Sequence, residues 1–188
     1  MQAFQNWDKV APMLDGEGNK LPVGGYVCKI KFAQETTSKS GKRMLEVKFD
    51  IAEGQYTDFY MEKYKKSKPK SDTEPIKWPA IHYIVLEGDY ADARFKGFIQ
   101  CIEESNPNYK WNWDENTLNN LLFGGVFGEE EFKGDRGIGK TTKLRYVKNV
   151  EAIRTGDYQI PEPKLYEEAS SPFTNNYLTT NNDDDLPF

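Results

Sequence analysis

The chain has 188 residues, 37% hydrophobic, 14% aromatic and 29% charged, with a formal net charge of -5. That is enough apolar and ring surface for one core, which excludes wholesale disorder. No apolar run approaches the roughly 18 residues of a membrane helix, and the start MQAFQNWDKV has no signal-peptide pattern.

Residues 1–20 read as a lead-in broken by Gly16, Gly18 and Asn19. The first strand is expected at Tyr26–Ala33, where Tyr26, Cys28, Ile30 and Phe32 alternate with Val27, Lys29 and Lys31. The polar loop ETTSKSGK leads into a second strand, Arg43–Ala52, with Leu45, Val47, Phe49 and Ile51 on one face. The two strands read as a hairpin. A third strand is expected at Tyr56–Tyr64, rich in rings. The lysine-rich stretch 65–78 reads as a long loop or the tip of an extended hairpin, with Ala80–Leu86 as the returning strand. A helix is expected over Tyr90–Ser105, because Phe95, Phe98, Ile99 and Ile102 fall at helical spacing. Asp89 or Asp92 is the expected cap, and Asn106-Pro107 the stop. A short helix around Asp114–Leu122 and strands near Gly125–Phe132 and Lys143–Ile153 follow. Residues 161–188 hold four of the chain's ten prolines and few aliphatics, so a disordered tail is expected. The domain proper is residues 21–160.

Strand, strand, strand, helical insert, strand, strand is the make-up of the OB-fold. That is a five-stranded, partly open barrel which binds oligonucleotides on its second and third strands and nearby loops. A mainly β barrel with a helical insert and a hairpin extension is therefore the expected fold. Cys28 and Cys101 make neither a disulfide framework nor a zinc spacing, which points to reduced thiols and a cytoplasmic setting. The single histidine, His82, argues against a Ser-His-Asp triad and a histidine metal site. No cofactor is expected.

Residues 134–141, GDRGIGKT, match the phosphate loop G-x-x-x-x-G-K-[ST] letter for letter. The match carries chemistry only between a buried strand and a helix whose amides meet the phosphates. Here the preceding run is acidic EEEFK, and TTKLRYVKNVEAI after it alternates like a strand. A hairpin turn that needs glycine is the better reading, and nucleotide hydrolysis the weakest alternative. If the turn touches a ligand, Arg136, Lys140 and Lys143 would meet phosphate.

The charge is unevenly spread. Residues 157–188 carry seven acids and one base, whereas residues 26–70 carry eleven bases and six acids. A basic body with an acidic tail suggests nucleic-acid interaction. Unpaired strands offer phosphates to cations and bases to aromatic faces. The candidate contacts are Lys29 and Lys31 on the first strand, Arg43 and Lys48 on the second, and Tyr60, Tyr64, Lys65 and Lys66 on the third and just after it. Trp78 across the loop, and Lys143 and Arg145 on the last strand, complete the set. Trp111 and Trp113 are expected to pack the helical insert on the barrel instead.

The chain ends in Asp183, Asp184, Asp185, Leu186, Pro187 and Phe188. The ring can enter an apolar pocket, the terminal carboxylate can meet a cation, and the aspartates a basic rim. This ending resembles the acidic tip of bacterial and phage single-stranded-DNA-binding proteins, which recruits replication and repair enzymes. The stretches LPVGGYVCKI, EVKFDIAEG, FIQCIEESNPNYKWNWDE, LLFGGVFGEEEF and VEAIRTGDYQIPEPK resemble a family of phage and Gram-positive prophage proteins. Those are found among replication and recombination functions and regarded as OB-fold single-stranded-DNA binders. The likeness covers roughly residues 20–165 and the last six. It implies a non-enzymatic binder of single-stranded DNA that recruits partner enzymes through its tip, in phage or prophage DNA replication, recombination or repair. A homo-oligomer is plausible from exposed strand edges. An adaptor or structural phage protein that binds protein with the same barrel is the main rival.

Overall fold

The computed structural model describes residues 20–69, 75–134 and 137–166. Its elements are β1 (Gly24–Thr37), β2 (Arg43–Ile51), α1 (Phe59–Lys66), β3 (Ile81–Val85), α2 (Ala91–Ser105), a 3-10 turn (Glu115–Leu118), β4 (Leu122–Gly134), β5 (Gly137–Lys148) and α3 (Val150–Thr155). The strands form one antiparallel sheet in the order β3-β2-β1-β4-β5. The architecture is mainly β, and the sheet is open, with β3 and β5 at its edges. None of the described helices is long and apolar enough to cross a membrane.

Alternation puts Cys28 and Ile30 of β1, Leu45, Val47, Phe49 and Ile51 of β2, and Phe123 and Phe127 of β4 on one face. Helix α2 closes that face with Phe98, Ile99 and Ile102, the stripe its spacing predicts. Each such side chain contributes about 1.5–3 kcal/mol when fully buried. Asn106 ends α2 and ties it to β4, since its Nδ2 donates to the Ile102 and Leu122 carbonyls while its Oδ1 accepts from Leu122 N–H. The expected aspartate cap is not used. Tyr90 holds that position in the left-handed region, and Asp92 accepts only from Ala93 N–H.

Three expectations need correction. The run Tyr56–Tyr64 is not a strand, because its second half is helix α1. Its rings at 56, 59, 60 and 64 follow helical spacing, and a buried carboxylate supplies the missing cap. Asp50 of β2 accepts from Tyr60 N–H and Met61 N–H, each at 2.9 Å, and from Ile51 N–H at 2.8 Å. Burial pushes its carboxyl above the usual range, against the pull of those three donors. The third strand is therefore β3, whose Met44↔Val85 to Lys48↔Ile81 register lies along β2.

Second, strict alternation fails in β1. Ile30 pairs with Phe49 but Phe32 pairs with Lys48, so Lys31 is an extra residue in a β-bulge. The bulge turns Phe32 outward, 39% exposed, and puts Ala33 in the core.

Third, the last strand ends at Lys148 rather than Ile153. Asn149 caps α3 by accepting from Ala152 N–H, and Gly156 closes it in the left-handed region. Helix α3 lies directly on β4, where a Cβ at Gly124 would stand 2.5 Å from Ile153 Cγ1 and 2.6 Å from the Asn149 carbonyl. The segment beyond runs back over the sheet as far as Lys164, which bridges Glu130 in parallel fashion. The start of the expected tail, residues 161–166, is thus docked on β4.

Candidate nucleic-acid interface

The face of β1, β2 and β3 turned away from the core presents an alternating set of rings and charges. Phe32, Gln34 and Thr36 of β1 pair across to Lys48, Glu46 and Met44 of β2, and these to Ile81, Tyr83 and Val85 of β3. Phe32, Tyr83 and Val85 are exposed. The Lys48 ammonium stands 5.3 Å from the centre of the Phe32 ring, a cation–π contact. Glu46 organises the centre. It accepts from Gln34 Nε2 at 3.1 Å and Tyr83 OH at 3.2 Å, and pairs with Lys48 at 3.1 Å. Burial first, and then the Glu46 charge, push the Tyr83 phenol up, so it stays a donor. Phe32 and Tyr83 sit two strands apart and two residues out of row, about 12 Å at ordinary strand spacing and rise. Lys29 and Lys31 on β1 have no ion pair among the described residues.

The other expected contacts fall into two groups. At the foot of β3, Tyr64 and Trp78 lie with ring centres 5.3 Å apart, and Trp78 Nε1 donates to the Phe49 carbonyl at 2.8 Å. Both are half-buried, and Lys65 and Lys66 are exposed in the last turn of α1 beside them. Lys65 pairs with Glu62. Tyr60 does not belong to this surface. It is 6% exposed and packs edge-on against Phe49 and Phe59, because the helix turns it into the core.

The remaining cations are held by carboxylates or lie elsewhere. Arg43 binds Glu35 at 2.6 and 3.0 Å, and those bonds hold the Glu35 carboxyl below its usual range. Lys143 pairs with Glu130 at 3.0 Å on the β4–β5 ribbon. Arg145 is the extra residue of a second bulge, between the pairs Val126↔Tyr146 and Phe127↔Leu144, and is partly buried next to Gly128. Neither joins the ring face. The tip residues Asp183, Asp184, Asp185, Leu186, Pro187 and Phe188 lie outside the described residues, as does Arg136.

The GDRGIGKT segment forms no phosphate loop. Gly134 and Gly137 pair as the ends of two antiparallel strands, Lys140 is bound to Glu129 at 2.8 Å, and β5 continues where a helix would be required. His82 packs near Phe98, with ring centres 6.0 Å apart, and burial pushes its pKa down.

Alternation alone missed Phe32 and Tyr83. It assigned Phe32 inward, and a bulge in a polar-flanked strand leaves no clear sequence mark. Tyr83 could have been found, since it alternates with the buried Ile84 once β3 is recognised. Trp113 is a further difference from expectation, at 81% exposed. No known family model matches the chain, and a search of curated proteins found no match.

Proposed function

We propose that the chain binds single-stranded DNA with little sequence preference, through the outer face of β1–β3, as a non-enzymatic accessory of phage or prophage replication and recombination in the host cytoplasm. In this reading the terminal DDDLPF segment recruits partner enzymes. The observation that carries it is the pair of exposed rings, Phe32 and Tyr83, on one sheet face with Lys48 between them and the unpaired Lys29 and Lys31 alongside. Rings hold bases by stacking, for about 1–3 kcal/mol each, and cations hold the connecting phosphates. The strand order and the position of α2 between β3 and β4 also support an OB-fold opened between β3 and β5.

The test is affinity for single-stranded against duplex DNA of equal length at several salt concentrations. Single-stranded DNA should bind more tightly, with a log–log salt slope of about -0.7 per phosphate engaged. Equal or tighter duplex binding, or no salt dependence, would overturn the reading.

A further inference from the structure

A cavity of about 570 Å³ opens between α2, the β1–β2 hairpin and the segment after α2. That size falls in the range of small-molecule sites. Its apolar wall is made by Phe95, Trp111, Trp113 and Ile99. The three rings are mutually inclined, at 37–76°, with centres 5.7–6.4 Å apart, so they form a concave aromatic corner and not a flat stack. Two further observations set this corner apart from ordinary packing. Trp113 keeps 81% of its surface in solvent while its backbone sits at φ 67, a conformation costly for a bulky side chain. The Trp111 indole N–H, in the same wall, is buried with no hydrogen-bond partner among the described residues.

The rim is chemically selective. Arg43 is already bound by Glu35, which leaves Asp92, Glu115 and Lys96. Two carboxylates are acceptors only, so they suit a planar group that offers N–H donors. With the Arg43–Glu35 pair neutral as a unit, the rim holds these two carboxylates against the single ammonium of Lys96, a net negative charge that disfavours a phosphate inside the cavity. The mouth is also next to the ring face. Leu86 N–H donates to the Arg43 carbonyl, directly beyond the Met44↔Val85 pair that ends that face. Because β3 is the edge of the sheet, no strand among the described residues flanks the way from Tyr83 around Leu86 to the cavity.

We infer that the Phe95–Trp111–Trp113 cavity is a base-binding subsite that takes one unstacked nucleobase carrying an exocyclic amino group. Adenine, cytosine and guanine present amino donors to Asp92 or Glu115. Thymine presents two carbonyl oxygens around a single N–H and is disfavoured. The inference rests on the single-strand reading above and adds a modest base preference to it.

The experiment compares the full chain with its Trp113→Leu and Trp113→Phe variants. Binding to oligodeoxycytidine and oligothymidine of equal length is measured across salt concentrations. The wild type should favour oligodeoxycytidine. Trp113→Leu should lose about 5- to 150-fold in oligodeoxycytidine affinity, the equivalent of one stacked base, along with the preference. Its salt slope should not change, because a stacked base adds no phosphate contact. Trp113→Phe keeps a ring and should recover part of the loss. Wild-type binding that Trp113→Leu leaves intact, or a preference that survives it, would overturn the subsite and spare the ring face. Failure of the wild type to bind either oligonucleotide would overturn both. Quenching of tryptophan emission by N-acetylarginine amide, with none by oligodeoxycytidine, would make the cavity a protein-docking site and also overturn the inference.

Discussion

Removal of the Asp50 carboxylate tests how α1 is held to the sheet. Asp58, at the helix start, sits in the left-handed region and makes no side-chain cap. Asp50 therefore supplies the acceptors from the neighbouring strand. Its Oδ1 takes Ile51 N–H and Tyr60 N–H, and its Oδ2 takes Met61 N–H. Asp50→Ala strands all three donors, and an unsatisfied buried donor costs about 1–3 kcal/mol. Part of that returns because Met61 is only partly buried and because a desolvated carboxylate is removed. A net loss of about 3 kcal/mol is expected. Asp50→Asn keeps one oxygen for Ile51 and Tyr60 but turns an amide toward Met61 N–H, so it should cost about 1–2 kcal/mol. Urea unfolding followed by tryptophan fluorescence measures both.

The pH dependence adds a sign. Burial raises the folded-state pKa of Asp50, so the folded protein holds this proton more tightly than the unfolded chain. The wild type thus loses stability as pH rises from the unfolded value of about 3.9 through the folded one. Asp50→Asn lacks that component, so its penalty should shrink over the same window. Glu35, Glu129 and Glu130, held below their usual range by cations, act in the opposite sense but equally in both proteins. An Asp50→Ala protein within 0.5 kcal/mol of the wild type, well below the roughly 3 kcal/mol expected, would refute the capping argument.

Phe32→Ala should weaken single-stranded DNA by about 5- to 150-fold while leaving thermal stability nearly unchanged, since the ring is exposed; titration and melting measure the two separately. Lys31→Gln should lower the salt slope by about 0.7. Lys143→Gln, whose lysine is engaged by Glu130 away from the ring face, should leave the slope as it was. Gly124→Ala forces a methyl into Ile153 and the Asn149 carbonyl. It should cost about 1–3 kcal/mol, read as a lower denaturation midpoint and faster amide exchange in α3.

What the sequence made legible was set by the period of the apolar residues. Strand β2 and helix α2 carry long, unbroken patterns, and both formed as expected, with Leu45, Val47, Phe49 and Ile51 inside and Phe98, Ile99 and Ile102 over them. The rings of 56–64 had the helical period in plain view, but β-prone tyrosines drew the reading toward a strand. Asp50, the group that decides the matter, sits on another element. The hairpin in GDRGIGKT could be recognised from its flanking runs. Ion pairing could not. Glu35 and Glu130 lie across strands from Arg43 and Lys143, and only the register of β1 on β2 and β4 on β5 brings them together, whereas Glu46 and Lys48 are two residues apart on β2. A list of surface cations therefore overstates the free positive charge; on β1, Lys29 and Lys31 have no ion pair among the described residues.

The extra residue at Lys31 has a consequence for what length variation can do to this surface. A chain shortened by that one residue would keep Ile30 opposite Phe49 and Phe32 opposite Lys48, and the ladder to β2 would close without a gap. Simple alternation would then leave Phe32 outside and Ala33 inside, as they are now. The cut would take away one ammonium group and the local bend of the strand, so a single in-frame codon here tunes charge and curvature beside the ring and spares the ring itself.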